Sequence, residues 1–196
     1  MTGTAPPQRP AQRLTPRRIA AVAVVAVVVA VVVWLIVRGG GTPSSAPTTT
    51  ATTTTSVTPL GPVAATRASL VTFAQALKRP IYWAGPVAGD TYEFTETSAG
   101  NIYVRYLPKG VRVGDPRAAF RVVATYPYPN ALAALSGLAG TKGIPLKGGG
   151  LVLPSAGYAK SVHMAYPGIP YEIEVFDPVP GKARAIALSG QVQPIR

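Results

Sequence analysis

At 196 residues the chain has room for one compact domain plus accessory segments, and its 47% apolar content overstates the core because one block, Ile19 to Val37, holds a large share of it. The absence of cysteine excludes disulfides, a thiolate nucleophile, iron–sulfur ligation and cysteine-based zinc sites. The formal charge of +12 is unevenly placed: residues 1–38 hold Arg9, Arg13, Arg17, Arg18 and Arg38 without an acid, and fourteen basic residues face seven acidic ones from Arg67 onward.

Residues 1–18 read as a basic cytoplasmic tail. Residues 19–37, IAAVAVVAVVVAVVVWLIV, carry no charge, proline or glycine. As a helix they would be about 28 Å long, close to a hydrocarbon core of about 30 Å, so a single transmembrane helix is expected there. Within a bilayer the helix is the only way one segment satisfies its own backbone. Four arginines before the span and one just after it place the N-terminus in the cytoplasm and the rest outside. A cleaved signal peptide would need a shorter apolar core and a small-x-small site soon after it, and neither is present.

Residues 38–64 continue as a tether rich in Gly, Ser, Thr and Pro, uncharged from Gly39 onward and with little to bury, and are expected to be a flexible linker. Taken as about 24 residues, it would reach roughly 25–30 Å as a coil and about 75 Å at full extension. Its composition suits O-glycosylation.

Residues 65–196 are expected to form the outer domain. Leu70, Phe73, Ala74 and Leu77 recur at helical spacing over Thr66–Lys78, and Pro80 stops the run. A short strand, Ile81-Tyr82-Trp83, follows. Tyr92 to Leu107 reads as a hairpin around Ser98-Ala99-Gly100, which sets Tyr92 opposite Tyr106 and Phe94 opposite Val104 on one face, with Glu93 opposite Arg105 on the other. Phe120 to Tyr126 is a further strand whose alternation is less clear. A second helix is expected from Asn130 as N-cap through Leu132, Leu135 and Leu138 to Gly140.

Three more strands follow: one near Leu151-Val152-Leu153, and a hairpin pairing Val162–Tyr166 with Tyr171–Phe176. That hairpin sets Met164 against Ile173 and Val162 against Val175. Asp177-Pro178 reads as the start of a last helix ending at Ser189-Gly190. The whole predicts a mixed antiparallel α+β domain with about three helices, each half running helix, strand, hairpin, as an αβββ duplication would.

The one histidine, His163, falls opposite Glu174, with Glu172 on the same face; such carboxylates could orient an imidazole for acid–base chemistry. The plainer reading is a solvent-facing polar pair, because no serine is placed beside it by sequence and neither G-x-S-x-G nor S-x-x-K occurs. Glycoside cleavage would need two of the seven carboxylates across a cleft; Glu93 is already matched to Arg105, and Asp115 and Asp177 precede proline in turn-like positions. Gly148-Gly149-Gly150 opens a strand rather than a helix and so reads as a turn, not a phosphate loop. Tyr82, Trp83, Tyr92, Tyr103 and Tyr106 could line a carbohydrate or peptide groove. Core packing is the reading for Tyr92 and Tyr106, whereas Tyr103 is expected to face out beside Thr95. No catalytic, cofactor-binding or metal-ligating residue is assigned, and no cofactor is expected.

The runs YWAGPVAGDTYEFTETSAGNIYVRYLPKGVRVGD (82–115), VVATYPYPNALAAL (122–135) and YEIEVFDPVPGKA (171–183) resemble an uncharacterised family of actinobacterial single-pass membrane proteins. The resemblance implies a cell-envelope setting and brings no activity or site residue with it. The leading expectation is a membrane-anchored interaction module outside the membrane, binding an envelope polymer or a membrane-protein partner through a basic, tyrosine-bearing surface, with no nucleic-acid partner. The alternatives are an envelope hydrolase using His163 and Glu174, and a binding domain for a small lipid or apolar ligand.

Overall fold

The structure, a computed structural model, describes residues 61–157 and 159–195. The expected tail 1–18, membrane span 19–37 and most of the tether 38–64 lie outside the described residues. Among the described residues no helix is long and apolar enough to cross a membrane.

The sheet grows from two hairpins. β3 (Thr91–Glu96) and β4 (Ile102–Leu107) pair as expected, Tyr92 on Tyr106, Glu93 on Arg105 and Phe94 on Val104. Gly100 closes their turn at a φ of +79°, in the left-handed region that glycine enters freely, and its N–H donates to the Thr97 carbonyl. β8 (Ser161–Ala165) and β9 (Tyr171–Phe176) form the second hairpin, again in the expected register, with His163 opposite Glu174. β5 (Arg121–Pro127) pairs antiparallel with both β4 and β9 and so joins the hairpins. Adding β1 (Val63–Ala65), β6 (Ile144–Pro145) and β7 (Leu151–Pro154) gives one eight-stranded antiparallel sheet in the order β1-β3-β4-β5-β9-β8-β7-β6. The meanders β3-β4-β5 and β7-β8-β9 therefore meet through their last strands. The α+β domain with an antiparallel sheet and three helices is as the sequence reading has it.

Alternation along each strand sorts side chains onto two faces. One face carries Phe94, Ile102, Val104, Val123, Val162, Met164, Ile173 and Val175, all buried. It is covered by α1 (Arg67–Leu77) and α3 (Lys182–Leu188), which contribute Leu70, Phe73, Ala183, Ile186 and Ala187 to the same core. Phe73 stacks on Phe94 at 4.7 Å between ring centres. Burying each of the large side chains here stabilises the domain by about 1.5–3 kcal/mol before entropy is counted. α1 starts cleanly because Thr66 and Ser69 cap each other reciprocally, side chain to backbone N–H in both directions. A second, two-stranded sheet pairs β2 (Tyr82–Trp83) with β10 (Gln193–Pro194) and joins Tyr82, Trp83 and Ile195 to this core.

The other face is closed at two places. α2 (Ala131–Ala139) packs Ala131 and Leu135 against Ala165, with Leu151 and Leu153 beside them. At the far side, the loop over residues 108–120 is fastened to β3 and β4 by the Glu93–Arg105 pair.

Four expectations need correction. The tether does not run to residue 64, because Val63 and Ala64 already pair with β3 and satisfy its free edge. Asn130 occupies the N-cap position of α2 but makes no side-chain cap bond, and Leu138 is exposed rather than part of the packed stripe. The last helix begins at Lys182, not at Asp177-Pro178: the Asp177 carboxylate turns to the Val179 N–H and to Arg121, which holds residues 177–181 as a turn. β6 and β10 have no counterpart among the expected elements, because two residues each are too short to leave a periodic signal.

Candidate functional site

His163 and Glu174 are neighbours across β8 and β9, but neither faces solvent: the two residues are 4% and 6% exposed. Their surroundings make a buried polar row. Glu174 accepts hydrogen bonds from the Tyr126 hydroxyl at 2.7 Å and from the Ser161 hydroxyl, so both carboxylate oxygens are engaged. His163 turns instead to Glu172, its Nδ1 lying 2.6 Å from a carboxylate oxygen. Its Nε2 is buried with no hydrogen-bond partner. Burial by itself would lower the His163 pKa; the hydrogen bond to Glu172 and the negative charges of Glu174 and Glu172 outweigh it and raise the pKa above the usual 6.5. Burial first, then the nearby Glu174 charge, pushes the Tyr126 phenol well above its ordinary value.

The sequence reading missed Ser161 and Tyr126. Ser161 lies two residues before His163 on the same strand face, so period-two counting could have found it; Tyr126 needed the β5–β9 pairing, which has no local signal. The row does not assemble a nucleophile. Ser161 donates to Glu174 rather than to the imidazole, and an acyl-transfer site needs the hydroxyl on its base. Tyr103, expected to face out, is 8% exposed, with its ring edge-on to Tyr126.

A second polar unit sits on the same face. The Glu93 and Arg105 side chains are 2% and 8% exposed and lie 2.6 Å apart. Glu93 also accepts from the Gly114 N–H, and Arg105 donates to the carbonyls of Asp115 and Arg117. Phe120 is flanked by the guanidinium groups of Arg105 and Arg117, at 5.3 and 5.4 Å from its ring centre. This unit organises the 108–120 loop and has no free polar edge for a ligand beyond the Arg105 Nε, which is buried and unpartnered.

An open concavity lies elsewhere, at the end of the sheet where β4 and β9 finish and β5 begins. It is a cleft of about 180 Å³ lined by Asp90, Tyr106, Phe120, Arg121, Asp177 and Lys182, with Pro108, Ala119, Pro178 and Val179 completing the wall. Arg121 is positioned by two contacts: its Nε donates to Asp177 at 3.0 Å, and its guanidinium carbon lies 5.5 Å above the Tyr106 ring. The Tyr106 hydroxyl accepts from the Ala84 N–H and donates to the Gly85 carbonyl, while the Tyr92 hydroxyl accepts from the Val87 N–H. These bonds pin the segment that carries Asp90 to the sheet. Opposite, the Asp177 N–H donates to the Lys160 carbonyl and the Gly181 N–H to that of Ala159, which holds the turn that precedes Lys182.

Charge is distributed unevenly between inside and outside. Of the seven acidic residues, Glu93, Glu96, Asp115 and Asp177 are each paired with an arginine, Glu172 with His163, and Glu174 with two hydroxyls. Lys109, Arg112, Lys142, Lys147, Lys160, Lys182 and Arg184 are exposed and take no part in those pairs. Among the described residues no group of three or more His, Cys, Asp or Glu is arranged to hold a metal ion.

Comparison with family models, with curated proteins and with solved structures finds no match to this chain.

Proposed function

We propose that the chain is a single-pass membrane protein of a cell envelope, anchored by residues 19–37 with its N-terminus in the cytoplasm, whose tethered C-terminal domain binds an anionic envelope component. The observation that carries this reading is the charge segregation just described. The acids are mostly held in ion pairs or in a buried network, so the exposed lysines and arginines meet few unpaired carboxylates and the excess of positive charge is carried by the outer surface. An uncharged tether suits this role, because it lets a binding domain search the space above a membrane without opposing the approach of an anionic partner. The envelope setting of the actinobacterial proteins that the chain resembles, and an origin of the two paired meanders by αβββ duplication, belong to the same proposal.

Two measurements test it. Protease added to sealed cells should digest the C-terminal domain; protection in cells with cleavage in lysates would invert the topology and end the envelope reading. Full-length protein in an uncharged detergent should be retained on an anionic polymer matrix such as dextran sulfate and elute with salt. Passage without retention at low ionic strength would refute the anionic partner.

A further inference from the structure

The strand-end cleft has chemistry that a general basic surface does not. Arg121 spends its Nε on Asp177 and its ring-facing side on Tyr106, which leaves both terminal nitrogens without a hydrogen bond among the described residues. They form one edge of a guanidinium whose orientation is already fixed, so little freedom remains to be lost when it takes up a ligand. Lys182 contributes an unpaired ammonium to the same cleft. Asp177 is neutralised by Arg121 and accepts a hydrogen bond from the Val179 N–H, and Asp90 is then the one carboxylate there without a hydrogen bond or ion pair. Around the rim, Lys109 follows Pro108 and Lys160 precedes β8, both exposed and both at this end of the sheet.

We infer that this cleft binds a single phosphate group, free or esterified, with the terminal nitrogens of Arg121 and the Lys182 ammonium as its donors. A planar fork and a point charge meeting from different elements suit a group with three or four acceptor oxygens better than a carboxylate with two. Phe120, Tyr106 and Pro178 supply apolar wall for the alcohol side of a phosphoester. Asp90 weakens the site by repulsion and sets a ceiling on affinity, which leaves binding reversible. This inference rests on the anionic-partner reading above and names the group that the partner presents.

The test uses full-length protein in uncharged detergent, titrated calorimetrically with inorganic phosphate and, separately, with glycerol 1-phosphate. Saturable binding is expected, weakened about fivefold by Lys182→Gln, the upper range for one exposed charge contact. Asp90→Asn should strengthen it, and Lys147→Gln, at the opposite end of the sheet, should leave it unchanged. Arg121→Gln should abolish it; because that change also frees Asp177, the Lys182 variant, at an exposed position, and the Asp90 variant, at a half-buried one that makes no ion pair, carry the decision. Tighter binding of glycerol 1-phosphate assigns the site to a lipid head group or polymer phosphoester, and equal binding assigns it to free phosphate. Absence of saturable binding, or a silent Lys182→Gln, overturns the inference. Weaker binding in Asp90→Asn overturns it too, since removing a repelling carboxylate should strengthen the binding of an anion. If dextran sulfate still retains the protein while Lys182→Gln is silent, the cleft fails and the general reading stands; if retention is absent from the outset, the general reading itself fails.

Discussion

Replacing Glu93 by Gln tests whether the second face of the sheet is held by a closed ion pair. The substitution keeps the shape and removes the charge, leaving the Arg105 guanidinium, 8% exposed, without its carboxylate. Its remaining partners are the Asp115 and Arg117 carbonyls and the Phe120 ring, which solvate a cation but do not neutralise it. Breaking one side of a buried pair costs about 3–5 kcal/mol, a large part of the roughly 5–15 kcal/mol available to a domain of ordinary stability. The 108–120 loop should loosen as well, because the Gly114 N–H loses a charged acceptor at 2.6 Å. Urea unfolding followed by Trp83 fluorescence in a Trp34→Phe background reports the first effect, and tryptic cleavage after Arg112 and Arg117 the second. The double change Glu93→Leu with Arg105→Leu should recover most of the loss, since two apolar side chains need no partner. A single-variant cost below about 1 kcal/mol, the range of an exposed pair, or a double variant no better than the single, would refute the argument.

The raised pKa of His163 fixes a pH dependence. Folding favours the protonated ring, so its contribution is complete below the unfolded value near 6.5 and is lost as pH rises through the folded value. Urea midpoints should therefore fall on going from pH 6 upward, and His163→Gln should flatten that slope; a slope that survives the substitution assigns it to other groups. Gly150→Ala should destabilise strongly, because a Cβ there would lie 2.6 Å from the Tyr166 ring and 2.9 Å from the Ala165 carbonyl, whereas Gly148→Ser meets no neighbour and is opposed only by its φ of +84°. Equal midpoints for the Gly150 variant and the wild type would show that β7 and β8 do not approach as closely as described.

Much of the fold was legible because the apolar face follows simple periods. Phe94 against Val104 and Val162 against Val175 come from alternation of two, and Leu70, Phe73 and Leu77 from helical spacing. The polar face was placed correctly in register, but the solvent-facing readings of His163, Glu174 and Tyr103 were wrong in environment. Glu93, Arg105, His163 and Glu174 alternate with apolar neighbours just as solvent-facing residues do, and sequence periodicity does not distinguish a hydrated polar face from one whose charges are paired and enclosed. A clue was present in β5, where Val122, Val123, Ala124, Thr125 and Tyr126 are all buried. The weak alternation there is what a central strand covered on both sides should show. The cleft was not legible at all, because Asp90, Arg121 and the Asp177–Lys182 segment come from three separate places in the chain and meet only through the strand order.

The same placement leaves the surface cations with few acidic neighbours. An acid paired inside the domain cancels one arginine that is also inside, as Glu93 does for Arg105, and so subtracts nothing from the cations that a partner meets. Glu174 goes further: it is held by Tyr126 and Ser161, neutral donors, and its burial leaves a cation outside without an acidic counterpart. The consequence is testable on the surface alone. Lys109→Gln and Lys160→Gln together should lower retention on dextran sulfate while leaving the urea midpoint unchanged, because neither side chain makes an ion pair among the described residues. Should the midpoint fall with retention intact, those lysines stabilise the fold rather than the contact, and the segregation of charge would have no bearing on binding.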